Sequence, residues 1–402
     1  AILSQAKQQG GKGGNVALAS YGPEADLVLG EGAQVRGHGV TGGGKLELQA
    51  NKIVIGDIEK PGAGTLQLGG DFFEQGFSSY SLVGKQGLTV ADGTQVDVRM
   101  PVLRVVDNEK LALWTPEPVT ENALKGTLTQ RKGASLALQV GDIQSGAADM
   151  AGAELLIGKG AVVNVDAGQA IKLSSVGQLT VEGRLNAWGG KISLGGVGVD
   201  VNVSEAVEAA GHGRSIWIGD HAVLDVASRA VTATDAQGRR YGKVADGGSI
   251  VVGGEIDHAQ GSTSAASLFV VVRDGAVLDA SGAHAVLDVN GAAVDVASAG
   301  GSIALASNNG LYLDGQLLAR AGGAGAAGGT LSVATGTPVY LKVLATDKVL
   351  AGRELRLTQR QVASDLASDV TARDAAATLK YGYGRFSVEQ VEAGGFGSLA
   401  LL

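Results

Sequence analysis

The amino-acid sequence predicts an all-β protein that folds as a right-handed parallel β-helix, or β-solenoid, with extra-helical insertions and one short helix. Three observations predict this fold: short stretches in which apolar and polar residues alternate, a recurring Gly-Gly module, and an unusual composition. A strand this short cannot hold a sheet alone, but it can stack on copies of itself. The right hand is expected from the general crossover preference of parallel strands.

The alternating stretches are the first observation. An apolar residue at every second position turns one face of a strand toward a core and the other toward water. Such stretches, of roughly three to five residues, recur along the chain. Clear examples lie at residues 46–48, 66–68, 136–140, 171–173, 192–194, 224–226, 287–289, 294–296 and 303–305. We expect each to supply one strand of the solenoid.

The Gly-Gly module has the pattern Gly-Gly-X-h-X-h, where h is an apolar residue and X is any residue. Its copies lie at residues 43–48, 189–194, 247–252, 300–305 and 328–333. The last four copies are spaced by 28 to 58 residues, and such irregularity suits a solenoid, in which loops of any length can leave the turns. Because each corner must redirect the chain within a residue or two, we expect its glycines to adopt positive φ angles.

The chain is predicted to form one continuous β-helix segment over residues 1–402. Insertions are expected at about 99–126, where three prolines cluster, at 228–246, and at 345–385. After these are removed, coils of about 20 residues predict roughly 15 to 17 coils.

Two of the insertions have predicted structures of their own. Residues 235–238 read as the turn of a hairpin that stands off the solenoid. Val362, Leu366 and Val370 follow one another at intervals of four, which predicts a helix at about 360–379.

Composition and charge exclude several classes of protein. Glycine contributes 65 residues and proline only 6, without a Gly-X-Y period, so neither collagen nor a disordered linker is indicated. The net charge of −8 and the absence of a basic stripe argue against nucleic acid as a partner. The chain has no cysteine, no apolar run long enough to span a membrane, and no leader at its start. We therefore expect a fragment of a larger protein, without a transmembrane segment.

The motifs that carry chemistry are missing or uninformative. Residues 37–42 and 323–328 match G-x-G-x-x-G, but at this glycine content about one or two matches arise by chance. The chain contains no Walker A, G-x-S-x-G, H-E-x-x-H or EF-hand pattern, and its histidines at 38, 212, 221, 258 and 284 lack a ligand spacing. We predict no catalytic, cofactor-binding or metal-binding residue and no cofactor.

A polysaccharide-acting β-helix enzyme is the alternative that needs a separate test. Polygalacturonase-like enzymes carry Asn-Thr-Asp, Asp-Asp, His-Gly and Arg-Ile-Lys elements, and of these only His-Gly occurs here, at 38–39 and 212–213. Asp225, Asp288 and Asp295 alternate with apolar residues and are expected to form a solvated face, with weak calcium binding between stacked aspartates as the alternative. We therefore predict that the chain is not an enzyme.

The Gly-Gly-X-Ile-X-Leu modules, the Gly-X-Leu-Asp-Ala turns and the Gly-Phe-Ser-Ser-X-Ser-Leu stretch at 76–82 together resemble a known family. They are similar to the large filamentous-haemagglutinin-like exoproteins of Gram-negative bacteria, which leave the cell by two-partner secretion. The resemblance covers about residues 10–402 and is clearest at 183–334. The family's N-terminal secretion domain, with its Asn-Pro-Asn signature, is not in this chain, and neither is a toxin domain.

The resemblance implies a secreted shaft on the outer face of a Gram-negative outer membrane. Such a shaft mediates adhesion or aggregation, or presents a distal domain. Its expected partners are the outer-membrane two-partner transporter during secretion, and host-cell or bacterial surface glycans or proteins afterwards. The stalk of a contact-dependent toxin and a polysaccharide-acting enzyme remain the alternatives.

Overall fold

A computed structural model describes residues 10–20, 25–30, 32–58, 62–106, 110–122, 127–142, 152–197, 214–336, 353–375 and 378–402. Strands account for 48% of it, and helices are few. Most strands stack in parallel into three ladders, and the first two ladders form one 18-stranded sheet because two long strands run through both. The all-β class and the stacking of short parallel strands, as predicted from the alternation, are confirmed.

The first ladder contains ten strands in hydrogen-bonded succession. They are β1 (Val16–Ala19), the first part of β2 (Lys45–Ile55), the first part of β4 (Ser79–Val90), β10 (Ser135–Val140), β13 (Ala170–Ser175), β16 (Lys191–Gly196), β21 (Ser249–Gly253), β28 (Ser302–Ser307), β31 (Thr330–Thr335) and β34 (Ser398–Leu401).

The second ladder also has ten strands, and the third has six. The second contains β3 (Thr65–Leu68), the later parts of β2 and β4, β11 (Glu154–Ile157), β14 (Gln178–Val181), β17 (Ser215–Ile218), β24 (Phe269–Val272), β29 (Gly310–Leu313), β33 (Tyr383–Ser387) and β32 (Glu354–Thr358). The third contains β5 (Gln95–Val98), β12 (Val162–Val165), β15 (Arg184–Asn186), β18 (Val223–Asp225), β25 (Val277–Asp279) and β30 (Gln316–Leu318).

One uninterrupted coil passes through β13, β14 and β15 before the chain returns to the first ladder at β16. Ala170 pairs with Lys191, so this coil takes 21 residues, close to the expected 20. The predicted number of coils was wrong, since the first ladder has ten strands among the described residues. Insertions and end segments take up more of the chain than the sequence indicated.

The core lies between the three ladders and is built from every second residue of each strand. Ile192, Ile250 and Ile303 pair in successive strands of the first ladder and are fully buried. Leu179 of the second ladder and Leu185 of the third belong to the same cluster. Each such side chain contributes about 1.5–3 kcal/mol by leaving water. The register of the ladders is therefore set by the apolar pattern.

The glycines of the Gly-Gly module serve a different purpose from the one expected. Of the five pairs only Gly189 has a positive φ angle, 60°. A Cβ atom on Gly300 would collide with the carbonyl oxygen of Ala319, and one on Gly328 would collide with that of Gly395. The module needs glycine mainly because the backbones of neighbouring coils approach closely at this corner.

Antiparallel hairpins leave the ladders at several turns. They are β6 (Val102–Val105) with β7 (Leu111–Trp114), β8 (Val119–Asn122) with β9 (Thr127–Gln130), β19 (Val231–Thr234) with β20 (Arg240–Lys243), β22 (Ile256–Asp257) with β23 (Ser262–Thr263), and β26 (His284–Val289) with β27 (Ala292–Ala297). The first two occupy the expected insertion at 99–126 and extend past it to residue 130. The third lies within 228–246.

The last of these hairpins corrects the sequence analysis. The stretches at 287–289 and 294–296, expected to be solenoid strands, pair with each other instead. Asn290 and Gly291 have φ angles of 52° and 83°, which suit the two-residue turn of a hairpin. Period-2 alternation alone does not separate a protruding hairpin from a solenoid strand.

The helix predicted at about 360–379 is mostly absent. Among the described residues of that range only α1 (Ala372–Ala375) is helical, and 376–377 lie outside the description. Side chains of the solenoid bind the backbone of this segment: Asp314 accepts a hydrogen bond from the Ser364 N–H, and Arg273 donates to the Ala367 carbonyl. These bonds replace those of a helix.

The insertion expected at 345–385 also differs from the structure. Its residues 345–352 lie outside the description, but β32 pairs with β33 and so forms the last strand of the second ladder. A further helix, α2 (Val388–Ala393), follows β33 and packs near β30. A 3₁₀ helix spans Gly70–Glu74. No helix in the described ranges is long and apolar enough to cross a membrane.

Candidate functional site

Many outward side chains of the first ladder are small. These small side chains occupy every second position of the strands, and they include Ser79, Ser81, Ser135, Ala137, Ala170, Ser193, Ser249, Ser302, Ala304, Thr330 and Ser332. Their strands are paired on both sides, so the surface presents hydroxyl groups and methyl groups rather than free backbone. We call it the first-ladder face.

A groove of about 610 Å³ crosses the first-ladder face over β10, β13, β16 and β21. We call it the ladder groove. Gln139, Lys172, Ser174 and Ser193 line its floor, together with Lys191. Gly195 keeps the floor open, because a Cβ atom there would meet nothing within 4 Å.

The β22–β23 hairpin forms one wall of the groove with Glu255 and Ser264. Its position is fixed by packing, since Ile256 lies against a small cluster that includes Ala306 of the first ladder. His258 Nε2 also lies 3.0 Å from the Ser332 hydroxyl. The wall is therefore held over the later strands of the ladder and leaves the earlier ones open.

The charges of the groove are not balanced. The Lys191 ammonium donates to the Glu255 carboxylate at 2.7 Å, which joins floor and wall. Lys172, on the neighbouring strand, is exposed and has no hydrogen-bond or ion-pair partner within the described part of the chain. Ser174 donates to Gln139 at 3.4 Å. Among the described residues, the groove thus has one excess positive charge beside hydroxyl and amide groups and the apolar Ala170 and Val251, although the chain carries a net charge of −8.

Two carboxylates outside the groove, those of Glu182 and Asp220, interact at a turn between the second and third ladders. Glu182 lies half-buried there, in the space that Gly219 leaves free by lacking a side chain. Burial raises the pKa of Glu182, and the charge of Asp220 raises it further, whereas Lys159 and His221 lower it less. Glu182 is outside the ladder groove.

The histidines named from the sequence do not converge. His38 is close to the Pro101 carbonyl, and burial lowers its pKa. His284 is 3.1 Å from Asp295 on the β26–β27 hairpin, and His221 lies beside Asp220. His212 lies outside the described residues.

Asp225, expected on a solvated face, is buried instead. Its carboxylate accepts hydrogen bonds from the Trp188 indole at 3.1 Å and from Arg229 at 2.8 Å. It pairs with Asn186 and Asp279 in neighbouring strands, while Asp288 lies on the protruding hairpin. Over the described ranges no group of three or more His, Asp or Glu residues could hold a metal ion.

An aromatic surface on the second ladder is covered by the chain itself. Trp217, Phe269 and Tyr312 point outward there, and the residues that pack over them are Leu366, Val370, Ala372, Ala375, Leu379 and Tyr381. We call the described residues 359–375 and 378–382 the strap. Tyr312 also stacks on Tyr383, with ring centroids 4.4 Å apart.

Sequence reasoning missed the ladder groove. Lys191 and Ser193 are the X residues of one Gly-Gly module, so their outward direction could be predicted. Glu255 and Ser264 belong to a hairpin that no sequence signal indicated. The groove exists because this hairpin folds back on the ladder.

No family model matches this chain, and no curated protein or solved structure matches it.

Proposed function

We propose that the chain is a segment of the shaft of a secreted filamentous-haemagglutinin-like surface protein. In this proposal the three ladders close into a right-handed β-helix on the outer face of a Gram-negative outer membrane. The shaft mediates adhesion or aggregation, or carries a distal domain away from the membrane. The observation that carries the proposal is the unbroken succession of ten parallel strands in the first ladder over one core.

The architecture supports a shaft because each coil buries its apolar residues against its neighbours. The stability of such a stack is close to a sum of nearest-neighbour terms. Coils can therefore form one after another as the chain emerges from a transporter. Insertions that leave at the turns, such as the β19–β20 hairpin, add surface without interrupting the ladders.

The distribution of carboxylates favours a non-enzymatic role. Hydrolysis of a glycosidic bond generally needs two carboxyl groups on opposite sides of the substrate. Of the described carboxylates, one lines the ladder groove, that of Glu255, and it is paired with Lys191. Glu182 and Asp220 lie at a turn on another surface.

The test is the removal of one whole coil. Deleting residues 170–190 joins Gln169 to Lys191 and preserves the strand register, because Ala170 pairs with Lys191. Placed behind a two-partner secretion domain, this variant should be secreted and folded like the parent. Deleting 170–181 removes β13 and β14 but leaves β15, and should prevent folding. Equal behaviour of the two deletions would contradict the shaft proposal.

The adhesive part of the proposal needs a separate assay. Beads coated densely with the chain should bind host cells or bacteria more strongly than the free chain does, because repetition raises avidity. Secretion and folding without any bead binding would limit the segment to a spacer or stalk.

A further inference from the structure

We propose that the ladder groove binds an oligosaccharide that carries carboxylate groups. This inference rests on the proposed adhesive function and assigns its ligand class. The groove combines a lysine without a described partner, hydroxyl and amide groups on its floor, and strands that are paired on both sides.

The charge of the groove selects an anion. Lys172 is exposed and unpartnered among the described residues, while Lys191 is already paired with Glu255. A ligand carboxylate beside Lys172 would form a charge-assisted hydrogen bond, which is stronger than a neutral one. Because the chain as a whole is acidic, with a net charge of −8, this cation is the attractive point for an anion within the groove.

The neutral groups of the groove match a sugar. Ser193, Ser264 and Gln139 can each donate and accept hydrogen bonds, as the hydroxyl groups of a sugar do. Gly195 adds floor area without side-chain bulk, so a flat ring can approach the sheet. The Glu255 carboxylate supplies a further acceptor for a sugar hydroxyl at the wall.

An extended peptide fits the groove less well. Peptides that bind to sheets usually add a strand to a free edge. Here β13 is hydrogen-bonded to β10 and β16, and β16 is hydrogen-bonded to β13 and β21. No backbone edge is open within the groove, so recognition must come from the side chains of its floor and wall.

The size of the groove indicates an oligomer. It crosses four strands, which span about 14 Å at the usual strand spacing. Lys172 lies on the second of them, so several units of a linear chain can contact the floor together. A single sugar would leave most of the lining unused.

The experiment is calorimetric titration of the full chain with a short oligogalacturonate. The matched ligand is the same oligomer fully methyl-esterified, which keeps the hydroxyl groups and removes the charges. We expect weak binding of the charged oligomer, at least tenfold weaker binding of the ester, and a loss of affinity as salt is raised.

Lys172→Ala should weaken binding about tenfold, and Lys172→Glu should abolish it. Lys45→Ala is the control, because Lys45 is an exposed lysine of the same ladder outside the groove. All three substitutions are at exposed positions, so their melting temperatures should match the parent. Equal binding by Lys172→Glu and the parent would overturn the inference, and so would equal binding of an acidic peptide.

The bead assay separates this inference from the proposed function. Beads that bind cells equally with Lys172→Glu and with the parent would leave adhesion standing and remove the groove as its site. Oligogalacturonate binding without bead adhesion would support the groove and contradict an adhesive role for the segment.

Discussion

The coil over β13–β15 and the C-terminal region over residues 353–402 use the same ladders in different ways. In the coil, 21 residues supply one strand to each ladder with short turns between them. In the C-terminal region, the chain forms β32 out of order, crosses the second ladder as the strap, and then forms β33. Helix α2 follows β33 at the point where the six preceding coils have a third-ladder strand.

The difference shows which interactions decide the structure in each region. In the coil, the buried apolar residues of each strand pair with buried apolar residues of the neighbouring strands. The local sequence pattern and the stacking of strands therefore favour the same structure. In the strap, Asp314 and Arg273 of the solenoid bind the backbone and override the helical spacing of Val362, Leu366 and Val370. We expect substitutions to act through the core in the first region and through individual polar contacts in the second.

The largest expected effect comes from a charge in the core of the regular coils. Ile250→Asp would bury an unpaired carboxylate between Ile192 and Ile303, at a cost of at least about 4 kcal/mol. Thermal unfolding monitored by circular dichroism should show a large loss of stability. Leu399→Asp is the matched control, since Leu399 occupies the same column at β34 but is 39% exposed. Similar losses for both would mean that this register is wrong.

A smaller effect is expected from filling a corner between coils. Gly300→Ala places a methyl group against the Ala319 carbonyl, and overpacking of this kind costs about 1–3 kcal/mol. Gly195→Ala, where the added methyl group meets nothing, should leave the melting temperature unchanged. Chemical denaturation of the two variants in parallel measures the difference, and an unaffected Gly300→Ala would refute the close approach.

The strap should respond to the loss of one polar anchor. Asp314→Ala removes the acceptor of the Ser364 N–H and hydroxyl groups, worth about 1–3 kcal/mol. Hydrogen exchange should increase in residues 364–381 while the first ladder keeps its protection. Asp365→Ala, which removes only an exposed pair with Lys380, should have little effect. Unchanged exchange in Asp314→Ala would show that packing alone holds the strap.

The smallest expected effect depends on pH. Because the pKa of Glu182 is higher in the folded protein, folding binds a proton there, and its ionisation above that pKa destabilises the fold. Glu182→Gln should therefore be more stable than the parent at neutral pH. The difference should vanish as the pH falls through the folded pKa toward the ordinary value of 4.5. Melting curves across this range test the sign, and a parent that is more stable at neutral pH would contradict it.

The fold class could be predicted because the pattern that buries a strand is local. Residues 192–194, 250–252 and 303–305 occupy the same place in the Gly-Gly module, and they stack as expected. It was less predictable which alternating stretches leave the ladders as insertions. Residues 287–289 alternate in the same way, yet the Asn290–Gly291 turn folds them back into a hairpin.

The ladder groove could be predicted only in part. The outward direction of Lys172 follows from its place between Ile171 and Leu173, and that of Lys191 from its place before Ile192 in the Gly-Gly module. Their grouping with Glu255 depends on a hairpin that is held by Ile256 against the ladder, a contact between residues distant in sequence. The burial of Asp225 has a similar origin in part, since Trp188, 37 residues earlier in the chain, donates to its carboxylate, and Arg229, four residues later, also donates to it.

The most direct test of the account joins two neighbouring strands covalently. Ser249 and Ser302 are 53 residues apart in the chain but pair in adjacent strands, with hydroxyl groups 3.1 Å apart. The chain has no cysteine, so a Ser249→Cys, Ser302→Cys variant offers a single possible disulfide. Adjacent strands are about 4.8 Å apart, within the reach of a disulfide, whereas strands two places apart are not.

The stacked ladder predicts rapid and complete oxidation of this variant without loss of secondary structure. The control is Ser249→Cys with Thr330→Cys, which places the thiols two strands apart and should stay reduced. A disulfide that forms as readily in the control, or fails to form between residues 249 and 302, would contradict the order of strands on which the whole account depends.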